Sequence, residues 1–497
     1  METEAPSPRK CRRDSTGRPD GPPATLRHVL VRSVAALAAL AAAVTLVSAP
    51  HAARSSGHQF VAPAGSGALF LFSGHGWGHG VGMGQWGAQG YALQGYTYDQ
   101  ILAAYYPGTL LGPTTTTTIR VLLADGKKTL TISSAQPLTV EDGSGVEHTL
   151  PAGKTALTPK LTLAVDGGAK QALEPPLTFS PATGSTLTLG RAYRGQILVD
   201  VVNGKLRAIN VLPLEQYLYG VVPAEMPSAW LSAALEAQAV AARSYALANR
   251  RAAAPFDVYA DGRSQAYLGV SVETPAATEA VDETAGQVLL YGNQVADTLF
   301  SSSTGGWTQS AADAFGPPGR PYLVSLQDPY DSISPYHDWG PVPVTGKTLG
   351  SALGVAGRVV DATVAHNSSK RVKTVKMVAQ AGAAQATKSV TGASTQSALG
   401  LRSTWFSVGV LSLVPPSPNP AVAAGTRIRL SGVVRGIRGV VVQQRSNGTP
   451  WTTLRSVVPA PKTGAFHFAV RPSTTTDYRL ATAHDVAASV RIRVKTG

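Results

Sequence analysis

The clearest periodic pattern of the chain begins at Ser228 and continues to about Asn249. Apolar residues recur there at the three- and four-residue spacing of one helix face. Ser228 stands directly before the pattern, where its hydroxyl can accept from the first free amide groups of a helix. The spacing predicts one prominent helix over 228–249, and its apolar positions are Trp230, Leu231, Ala234, Leu235, Ala241 and Tyr245.

Much of the remaining chain shows the two-residue alternation of β-strands. Between 119 and about 212, short runs such as IRVLLA and QILVDVV alternate β-branched and polar residues and end at Gly, Asp or Pro. Strand-like runs return over 357–412, and 266–345 mixes strands with loops. The 51 Gly and 35 Pro residues also favour strands and loops over long helices. We expect an α+β fold with a mainly β core and one prominent helix, in a domain spanning 119–412.

A proline-rich stretch at 413–422 separates this domain from the C-terminus. Its sequence, VPPSPNPAV from Val414 onward, has the composition of a linker. Beyond it, residues 423–497 contain six short strand-like runs at fairly regular spacing. This pattern predicts a separate C-terminal β-sandwich, immunoglobulin-like or fibronectin-like. Because it contains no catalytic constellation, we expect a spacer or a binding module.

Residues 1–53 have the pattern of an export signal. A basic leader precedes an uncharged apolar run of 14 residues at 34–47, which is short for a membrane span and typical of a signal peptide. Cleavage and retention as a membrane anchor both remain open. We expect a protein secreted to the cell wall or anchored to the outer face of the cytoplasmic membrane. The one cysteine, Cys11, lies in this leader, so the exported part has no disulfide and no thiolate metal ligand.

The charge of the chain favours an anionic partner. The formal net charge is +14, yet the sequence contains no aromatic-interleaved basic patch and no nucleic-acid-binding motif. We therefore expect no nucleic acid as partner. An anionic cell wall suits the composition better, and membrane contact is expected only through an uncleaved N-terminal segment.

A Gly/His-rich block occupies 58–118. Glycines alternate with larger residues in GHGWGHGVGMGQWGA, which begins at Gly74. In an extended chain the larger side chains would share one face and leave the other as bare backbone, open to a ligand. We interpret the block as a glycan-contacting loop, with tight structural packing and a metal site on His75 and His79 as alternatives. The candidate substrate contacts here are His75, Trp77, His79 and Gln85.

Glu225 is the strongest candidate for acid–base chemistry. It lies between Pro223 and Pro227, directly before the predicted helix, and a rigid turn holds a carboxylate in the fixed place that a general acid or base needs. The helix dipole alone also favours a carboxylate at this position. That dipole lowers a carboxyl pKa, whereas a general acid at neutral pH needs a raised one. Glu225 can serve as the acid only if apolar neighbours such as Met226 or Trp230 bury it.

Several long motifs that follow one another along the chain resemble motifs of a single family. The stretch VVPAEMPSAWLSAALEAQAVAARSYAL around Glu225 is similar to the signature of the SpoIID/LytB family, which includes stage II sporulation protein D and the amidase enhancer. The resemblance covers about 119–408, and the separate HGVGMGQWGA block also matches the family. In the sporulation protein that block lies near the end of the domain, whereas here it precedes the core. We therefore expect it to pack on the domain that contains Glu225. The other matching motifs lie at 193–220, 298–310, 320–331 and 399–408.

This resemblance implies a chemistry. Characterised sporulation members are lytic transglycosylases that cleave peptidoglycan glycan strands, which makes Glu225 of the E-M-P motif the catalytic acid and base. A hydrolase would need a second carboxylate, for which Glu215, Glu236 and Asp261 are candidates, although Glu215 is better explained as structural. The alternative is a non-catalytic peptidoglycan-binding enhancer of a cell-wall amidase. A wall-scaffold module is a third, weaker reading.

Further side chains are expected to line the glycan groove. Arg243 is also open to a second interpretation, as a buried structural ion-pair partner. The small-residue loop at 302–306 is alternatively an ordinary polar turn. The candidate substrate contacts outside the Gly/His block are Gln238, Arg243, Tyr245, Ser302, Ser303, Thr304, Gly305 and Gly306.

The chain departs from the family at one point. Sporulation members carry cysteines after the helix that are associated with zinc, whereas Tyr259 and Ser264 stand at the corresponding positions here. Gln265 and Tyr267 of the same segment do match. The substitutions exclude a thiolate zinc site, and we expect neither a metal nor another cofactor.

Overall fold

Strands form most of the fold, and the helices gather around the candidate site. A computed structural model describes residues 60–62, 67–381, 384–416, 418–446 and 448–495. The leader, its Cys11 and the possible cleavage sites lie outside these residues. The described chain contains no helix with the length and apolarity needed to cross a membrane. The architecture is mostly β with several sheets and a minority of helix, which is compatible with the expected α+β class.

The Gly/His block is not an extended chain, contrary to expectation. Gly76, Gly78, Gly80 and Gly82 all have positive φ, so the backbone turns at every second residue. Only glycine adopts that region without strain, which explains the alternation better than an open backbone face does. The elements of this region are β1 (Phe60–Val61), β2 (Leu69–His75), β3 (Met83–Gly84), α1 (Gln85–Leu93), α2 (Tyr98–Tyr105) and β4 (Leu110–Pro113).

A β-rich region follows. Its main sheet has β16 and β15 near the centre and pairs β5 with β16, while β12, β7 and β8 extend it on the other side. Fully buried apolar side chains such as Ile132, Phe179 and Ile197 form the core of this region. The strands are β5 (Thr118–Lys127), β6 (Leu130–Ser134), β7 (Leu138–Glu141), β8 (Glu147–Leu150), β9 (Gly153–Leu157), β10 (Thr162–Ala164), β11 (Lys170–Ala172), β12 (Leu177–Pro181), β13 (Leu187–Leu189), β14 (Arg191–Tyr193), β15 (Gln196–Val202) and β16 (Lys205–Pro213).

The prominent helix begins four residues later than the sequence pattern predicts. Ser228 does not cap it, because the 227–230 segment forms a turn in which the Trp230 N–H donates to the Pro227 carbonyl at 3.0 Å. Leu231 is the N-cap residue, and its own N–H donates to Gln89 Oε1 at 3.1 Å. A tertiary contact therefore decides the helix start. The elements are α3 (Leu214–Tyr219), α4 (Val222–Glu225), α5 (Ser232–Ala248), β17 (Val258–Tyr259), a 3₁₀ turn (Gly269–Val272), α6 (Pro275–Glu283), β18 (Gln287–Tyr291), β19 (Gln294–Val295) and β20 (Phe300–Ser301).

A third region completes the domain around a hairpin-rich sheet. β22, β23 and β24 pair in antiparallel order, and a tight turn at 367–371 joins the first two. The elements are α7 (Ala311–Phe315), a 3₁₀ turn (Asp331–Ile333), β21 (Asp338–Thr345), α8 (Gly346–Ala352), β22 (Arg358–His366), β23 (Val372–Ala381), β24 (Ala384–Thr391), α9 (Gly392–Leu399) and β25 (Phe406–Val414).

The C-terminal strands are not a separate module. One sheet runs in the order β21, β2, β25, β26, β29, so it joins strands from both sides of the proline-rich stretch, and β25 itself reaches Val414. Leu69 and Leu411 share one buried cluster with Leu430 and Leu480. Apolar packing thus continues across the expected boundary. The strands are β26 (Ile428–Arg435), β27 (Val441–Ser446), β28 (Thr452–Ser456), β29 (Ala465–Val470), β30 (Thr476–Ala481), β31 (Asp485–Val486) and β32 (Val490–Ile492).

Candidate active site

Glu225 ends the short helix α4 and is partly buried. One backbone donor reaches its carboxylate, since the Ala266 N–H lies 2.7 Å from Oε1. The next residue, Met226, is extended and buried, so the chain turns sharply away from the carboxylate. Glu225 therefore lies at a helix C-terminus, seven positions before α5 begins, and the dipole of α5 does not explain its position.

Burial raises the pKa of the Glu225 carboxyl group above its ordinary value. The Ala266 N–H opposes this, because a donor to the carboxylate stabilises the charged form, but burial is the larger effect. Two tyrosines lie near enough to respond to the Glu225 charge. Burial first, and the Glu225 carboxylate to a smaller extent, raises the pKa of Tyr217 and of Tyr245. Tyr217 was not predicted, because nothing in the sequence distinguishes it from the other residues of the family motif at 193–220.

Two glutamines connect the Gly/His block to this site. Gln85 Nε2 donates to the Glu225 carbonyl at 3.0 Å and lies 3.3 Å from Gln238 Oε1. Gln85 is 7% exposed and Gln238 is 0% exposed. Gln238 Nε2 has no hydrogen-bond partner in the described chain. Gln85 thus holds the backbone of the candidate acid, Gln238 holds Gln85 from a different element, and the Gln238 amide keeps a free donor.

A third amide lies beside the loop that contacts Glu225. Gln265 is buried and donates from Nε2 to the Tyr217 hydroxyl at 3.1 Å and to the Ala242 carbonyl at 3.2 Å. Its Oε1 has no partner within the described residues. Since Ala266 follows directly, Gln265 fixes the segment that donates to the Glu225 carboxylate.

The small-residue loop at 302–306 is tied to a buried carboxylate. Asp331 accepts from the Ser303 hydroxyl at 2.9 Å and from the Thr304 and Gly305 amides at 2.9 and 3.0 Å. His337 Nδ1 lies 2.9 Å from the same carboxylate. Ser302 and Gly306 are half-buried, whereas the three residues between them are buried. The polar groups of this loop are therefore largely committed to Asp331.

Asp328 is a second buried carboxyl group behind this loop. Its Oδ2 accepts from Thr304 Oγ1 at 2.7 Å, and its Oδ1 has no hydrogen-bond partner among the described residues. Burial, followed by the nearby charge of Asp331, raises the pKa of Asp328 to about 7. The sequence analysis quoted the segment that contains Asp328 and Asp331 only as a family motif and assigned no role to either residue.

Arg243 is a structural residue. Its side chain is fully buried, and Nε lies 3.1 Å from Glu215 Oε1. Nη1 and Nη2 donate to the carbonyls of Gln287 at 3.0 Å and Val281 at 3.2 Å. This geometry corresponds to the ion-pair interpretation and leaves no donor for a groove, so the expected substrate contact is not available. Tyr245, two residues on, remains half-buried and packs against Phe300.

The histidines of the block do not act as a pair. His75 Nδ1 lies 2.6 Å from Asp338 Oδ1, and its side chain is 44% exposed. His79 instead accepts from the Val81 amide at 3.0 Å, and burial lowers its pKa to about 4. Trp77 is half-buried with its ring 4.4 Å from that of Tyr336.

The residues at the family's zinc positions do not fit a zinc ion. Ser264 Oγ accepts from the Tyr259 amide at 3.1 Å, and the Tyr259 hydroxyl accepts from Arg251 at 2.7 Å. Both side chains are thus engaged with the protein, and neither is a thiolate. The described part of the chain contains no cluster of three or more His, Cys, Asp or Glu side chains able to hold a metal.

Comparison with known proteins places this site in context. Residues 202–291 match the family model described as SpoIID, Stage II sporulation protein. The chain is 35% identical over 159 residues to the Stage II sporulation protein D of Bacillus subtilis, an alignment that covers 28% of this chain and 45% of that protein. It is 30% identical over 219 residues to the protein of the same name from Bacillus amyloliquefaciens, covering 40% and 56%.

A relative with another printed name matches as well. The chain is 37% identical over 114 residues to the Amidase enhancer of Bacillus subtilis, covering 23% of this chain and 15% of that protein. This chain therefore spans about half the length of the sporulation proteins that it matches and less of the enhancer. No solved structure matches it.

Proposed function

Because the chain belongs to the SpoIID/LytB family, we propose that it is an exported cell-wall protein that cleaves peptidoglycan glycan strands. Glu225 is the single acid and base of this proposal. The observation that carries it is the environment of Glu225, a partly buried carboxyl group with a raised pKa and its backbone clamped by Gln85. Such a group keeps its proton to higher pH than an ordinary glutamic acid, as a general acid requires.

The proposed reaction needs only one carboxyl group. Protonated Glu225 gives its proton to the glycosidic oxygen as the bond from C1 of N-acetylmuramic acid to that oxygen breaks. The resulting carboxylate then accepts the proton of the C6 hydroxyl of the same sugar, whose oxygen bonds to C1. The product carries a 1,6-anhydro end, and no water is consumed. Glu225 ends the cycle protonated, so the proton balance closes on this one residue.

The surroundings of the other carboxylates support a single-carboxyl mechanism. Glu215 is occupied by Arg243, and Asp261 forms an exposed ion pair with Arg263. Glu236 lies on α5, and burial raises its pKa as well, but the charges that act on it are those of Glu279 and Glu283. A hydrolase would need a second carboxylate at a defined distance across the scissile bond.

A second candidate function is the enhancement of a cell-wall amidase without catalysis. The match to a protein named Amidase enhancer favours it, as does the replacement of the zinc-associated cysteines by Tyr259 and Ser264. In this alternative Glu225 contributes only to the local structure, and the wall-binding surfaces carry the function.

The cellular location and the arrangement of the C-terminal strands are part of the same proposal. We infer export from the basic leader and the apolar run at 34–47. For the C-terminal strands, which share a sheet with β2 and β25, we propose an immunoglobulin-like or fibronectin-like arrangement that contributes to wall binding.

A digest of purified glycan strands tests the catalytic proposal. The full chain, its Glu225→Gln variant and a Glu147→Gln control would each be incubated with intact and with peptide-stripped glycan, and the products read by mass spectrometry. Glu147 is an exposed carboxylate on β8 and controls for the chemical change. We expect anhydro-muramic ends from the wild type and the control, and a loss of about 10²- to 10⁴-fold with Glu225→Gln.

The opposite result is equally informative. If the folded wild type binds wall material and produces no new ends, the catalytic proposal is wrong. The enhancer function then predicts that a cell-wall amidase works faster in the presence of the protein and that Glu225→Gln leaves this effect unchanged.

A further inference from the structure

Aromatic and cationic side chains gather on one surface beside the turns of the Gly/His block. Backbone hydrogen bonds bring them together, since Gly76 N–H donates to the Tyr336 carbonyl and Gly78 N–H to the Arg402 carbonyl, each at 2.9 Å. The His75 N–H donates to the Trp405 carbonyl at 2.9 Å. We call this surface the aromatic–cation face, and its members are Trp77, Trp307, Tyr336, Lys370, Arg402 and Trp405.

Two cations of this face rest on aromatic rings and lack an acidic partner. Lys370 Nζ lies 3.6 Å from the ring centre of Trp307 and 5.8 Å from that of Trp405. The Arg402 guanidinium lies 5.0 Å from Trp77 and 4.6 Å from Tyr336. Neither head group has a hydrogen-bond or ion-pair partner within the described residues. Ring contacts hold both cations in place while their N–H donors stay free.

A third cation lies buried beneath the same face. Arg371 is 1% exposed, and its Cζ lies 4.8 Å from the ring centre of Trp405. Nη2 donates to the carbonyls of Thr304 and Trp307 at 3.0 and 2.8 Å, but Nε and Nη1 have no partner in the described chain. Burial lowers the pKa of Arg371 to about 10, which still leaves it charged at neutral pH. A buried positive charge without an ion-paired acid attracts an anion to the surface above it.

Lys370 is held in a backbone conformation that its side chain does not favour. Its φ is +64°, in the left-handed region where Gly or Asn is the usual residue. The turn is enforced by Asn367, whose N–H donates to the Arg371 carbonyl and whose Oδ1 accepts from the Arg371 amide, at 2.8 and 2.9 Å. Strained residues of this kind concentrate at functional sites. The turn therefore places the Lys370 ammonium group on the face at a cost in backbone strain that an Asn at this position would avoid.

A cavity of about 260 Å³ lies beside His75, whose walls also include Asp338 and Trp339. The His75 ring connects the cavity to the face, because it lies 4.6 Å from the Trp405 ring between centres, with the two planes tilted by 49°. The Trp339 indole N–H is buried and has no acceptor in the described residues. Asp338 is a carboxylate of this cavity, and its Oδ1 lies 2.6 Å from His75 Nδ1. Within the described residues it forms no ion pair with Lys370 or Arg402.

We propose that the aromatic–cation face binds a polysaccharide strand that carries acidic groups, carboxylate or phosphate. Sugar rings stack on the indole and phenol rings, while Lys370 and Arg402 contact the acidic groups between or on the sugars. The inference extends the proposed function by naming a second contact surface for wall polymer, and it rests on that function for the choice of a glycan over other polyanions. Stacking rings and free cations also suit single-stranded nucleic acid, which the test must distinguish.

Equilibrium binding with four probes tests the proposal. The full chain would be titrated with peptide-stripped glycan whose muramic carboxylates are free, with the same glycan after carboxyl reduction, and with a phosphate-bearing teichoic polymer. An oligothymidylate serves as the nucleic-acid probe. The variants are Lys370→Asn, Arg402→Gln and Trp405→Ala, with Lys160→Gln as an exposed lysine control away from the face.

The expected result separates binding from folding. Lys370→Asn relieves the left-handed strain, so its melting temperature should equal or exceed that of the wild type while its affinity for acidic glycan falls about tenfold. Arg402→Gln and Trp405→Ala should weaken binding similarly, Lys160→Gln should not, and added salt should reduce wild-type binding. Reduction of the glycan carboxylates should lower the affinity of the wild type about as much as Lys370→Asn does. The relative strength of the carboxylate and phosphate probes identifies the natural acid.

Three outcomes would overturn the inference. They are unchanged affinity in the Lys370 and Arg402 variants, binding of the reduced glycan as tight as that of both acidic polymers, and tighter binding of oligothymidylate than of any polysaccharide. Failure of the proposed function looks different, because a wild type that cuts no glycan can still bind it through Lys370.

Discussion

Asp328 and Glu225 are both carboxyl groups whose pKa burial raises, but their surroundings give them different roles. Glu225 is only partly buried and accepts a single backbone hydrogen bond, so a substrate can approach it. Asp328 is 2% exposed and lies behind the loop that Asp331 organises. A raised pKa alone does not identify a catalytic group, and access decides between the two.

The buried carboxyl group predicts a pH-dependent stability. Between its ordinary pKa of 3.8 and its folded value of about 7, Asp328 keeps a proton that the unfolded chain releases. Its contribution to stability is therefore complete below about pH 4 and is lost as the pH rises through about 7. Asp328→Asn removes this titration, and its Thr304 bond can persist. We expect the difference in melting temperature, variant minus wild type, to increase by several degrees between about pH 5 and about pH 9.

A surface carboxylate provides the control for this prediction. Asp125 is exposed on strand β5, and Asp125→Asn should show the pH dependence of the wild type. A constant difference in melting temperature between Asp328→Asn and the wild type across this pH range would contradict the argument.

At the scale of elements, α5 is held by one buried side chain rather than by its apolar face alone. Arg243 connects it to α3 through Glu215, to α6 through the Val281 carbonyl and to β18 through the Gln287 carbonyl. Glu215 precedes Arg243 by 28 residues, and Val281 and Gln287 follow it by 38 and 44 residues. The planar guanidinium reaches all of them because its donors point in fixed, divergent directions.

Arg243→Lys should destabilise the fold although it retains the charge. A single ammonium group cannot replace the forked contacts of the buried guanidinium, and the half-buried Glu215 carboxylate is left poorly satisfied, so we expect a loss of about 3 kcal/mol in the free energy of unfolding. Urea denaturation followed by circular dichroism measures it. Arg263→Lys is the matched control, because that arginine is 61% exposed in its pair with Asp261 and should lose less than about 1 kcal/mol. Equal losses in the two variants would refute the structural role.

The helix and its carboxylate could be predicted from sequence, whereas their partners could not. Local spacing located α5 and Glu225, but Gln89, 142 residues before Leu231, moved the helix start. The glycine alternation was visible, yet positive φ rather than an open face explains it. Lys370 and Arg402 join Trp307 and Trp77 through tertiary turns that no periodicity signals. The partner of Arg243, Glu215, could not be identified from the sequence, because each residue appears there only as a single charge within an apolar pattern.

At the scale of the whole molecule, a continuous core replaces the expected division at the proline-rich stretch. Strands β26 and β29 extend the sheet that contains β2 and β25, and Leu430 lies in the same cluster as Leu69 and Leu411. The composition of 413–422 is that of a linker, but such a segment can also connect neighbouring strands of one sheet. Prolines mark a break in the backbone pattern and carry no information on whether the cores on either side are shared.

Leu430→Ala tests whether the core is shared. Leu430 is fully buried, so its truncation should cost about 3 kcal/mol, and differential scanning calorimetry should show one unfolding transition that shifts as a whole. Leu454→Ala, at a leucine that is 39% exposed, should shift it by a degree or less. Two unfolding transitions, of which only the smaller shifts in the Leu430→Ala variant, would instead support a separate C-terminal module.

Strand β2 lies between β21 and β25. One of the first strands to be synthesised therefore pairs with two strands that are synthesised much later. His75 is separated from Asp338 by 263 residues and Ser73 from Ser407 by 334. A chain that emerges from its N-terminus first therefore presents the apolar run LFLF with no neighbouring strand for most of its synthesis. Closing so long a loop is slow and leaves the early strand open to aggregation. The sheet order delays the complete sheet until β25, β26 and β29 have emerged, so under the proposed export a chain in transit would still lack it.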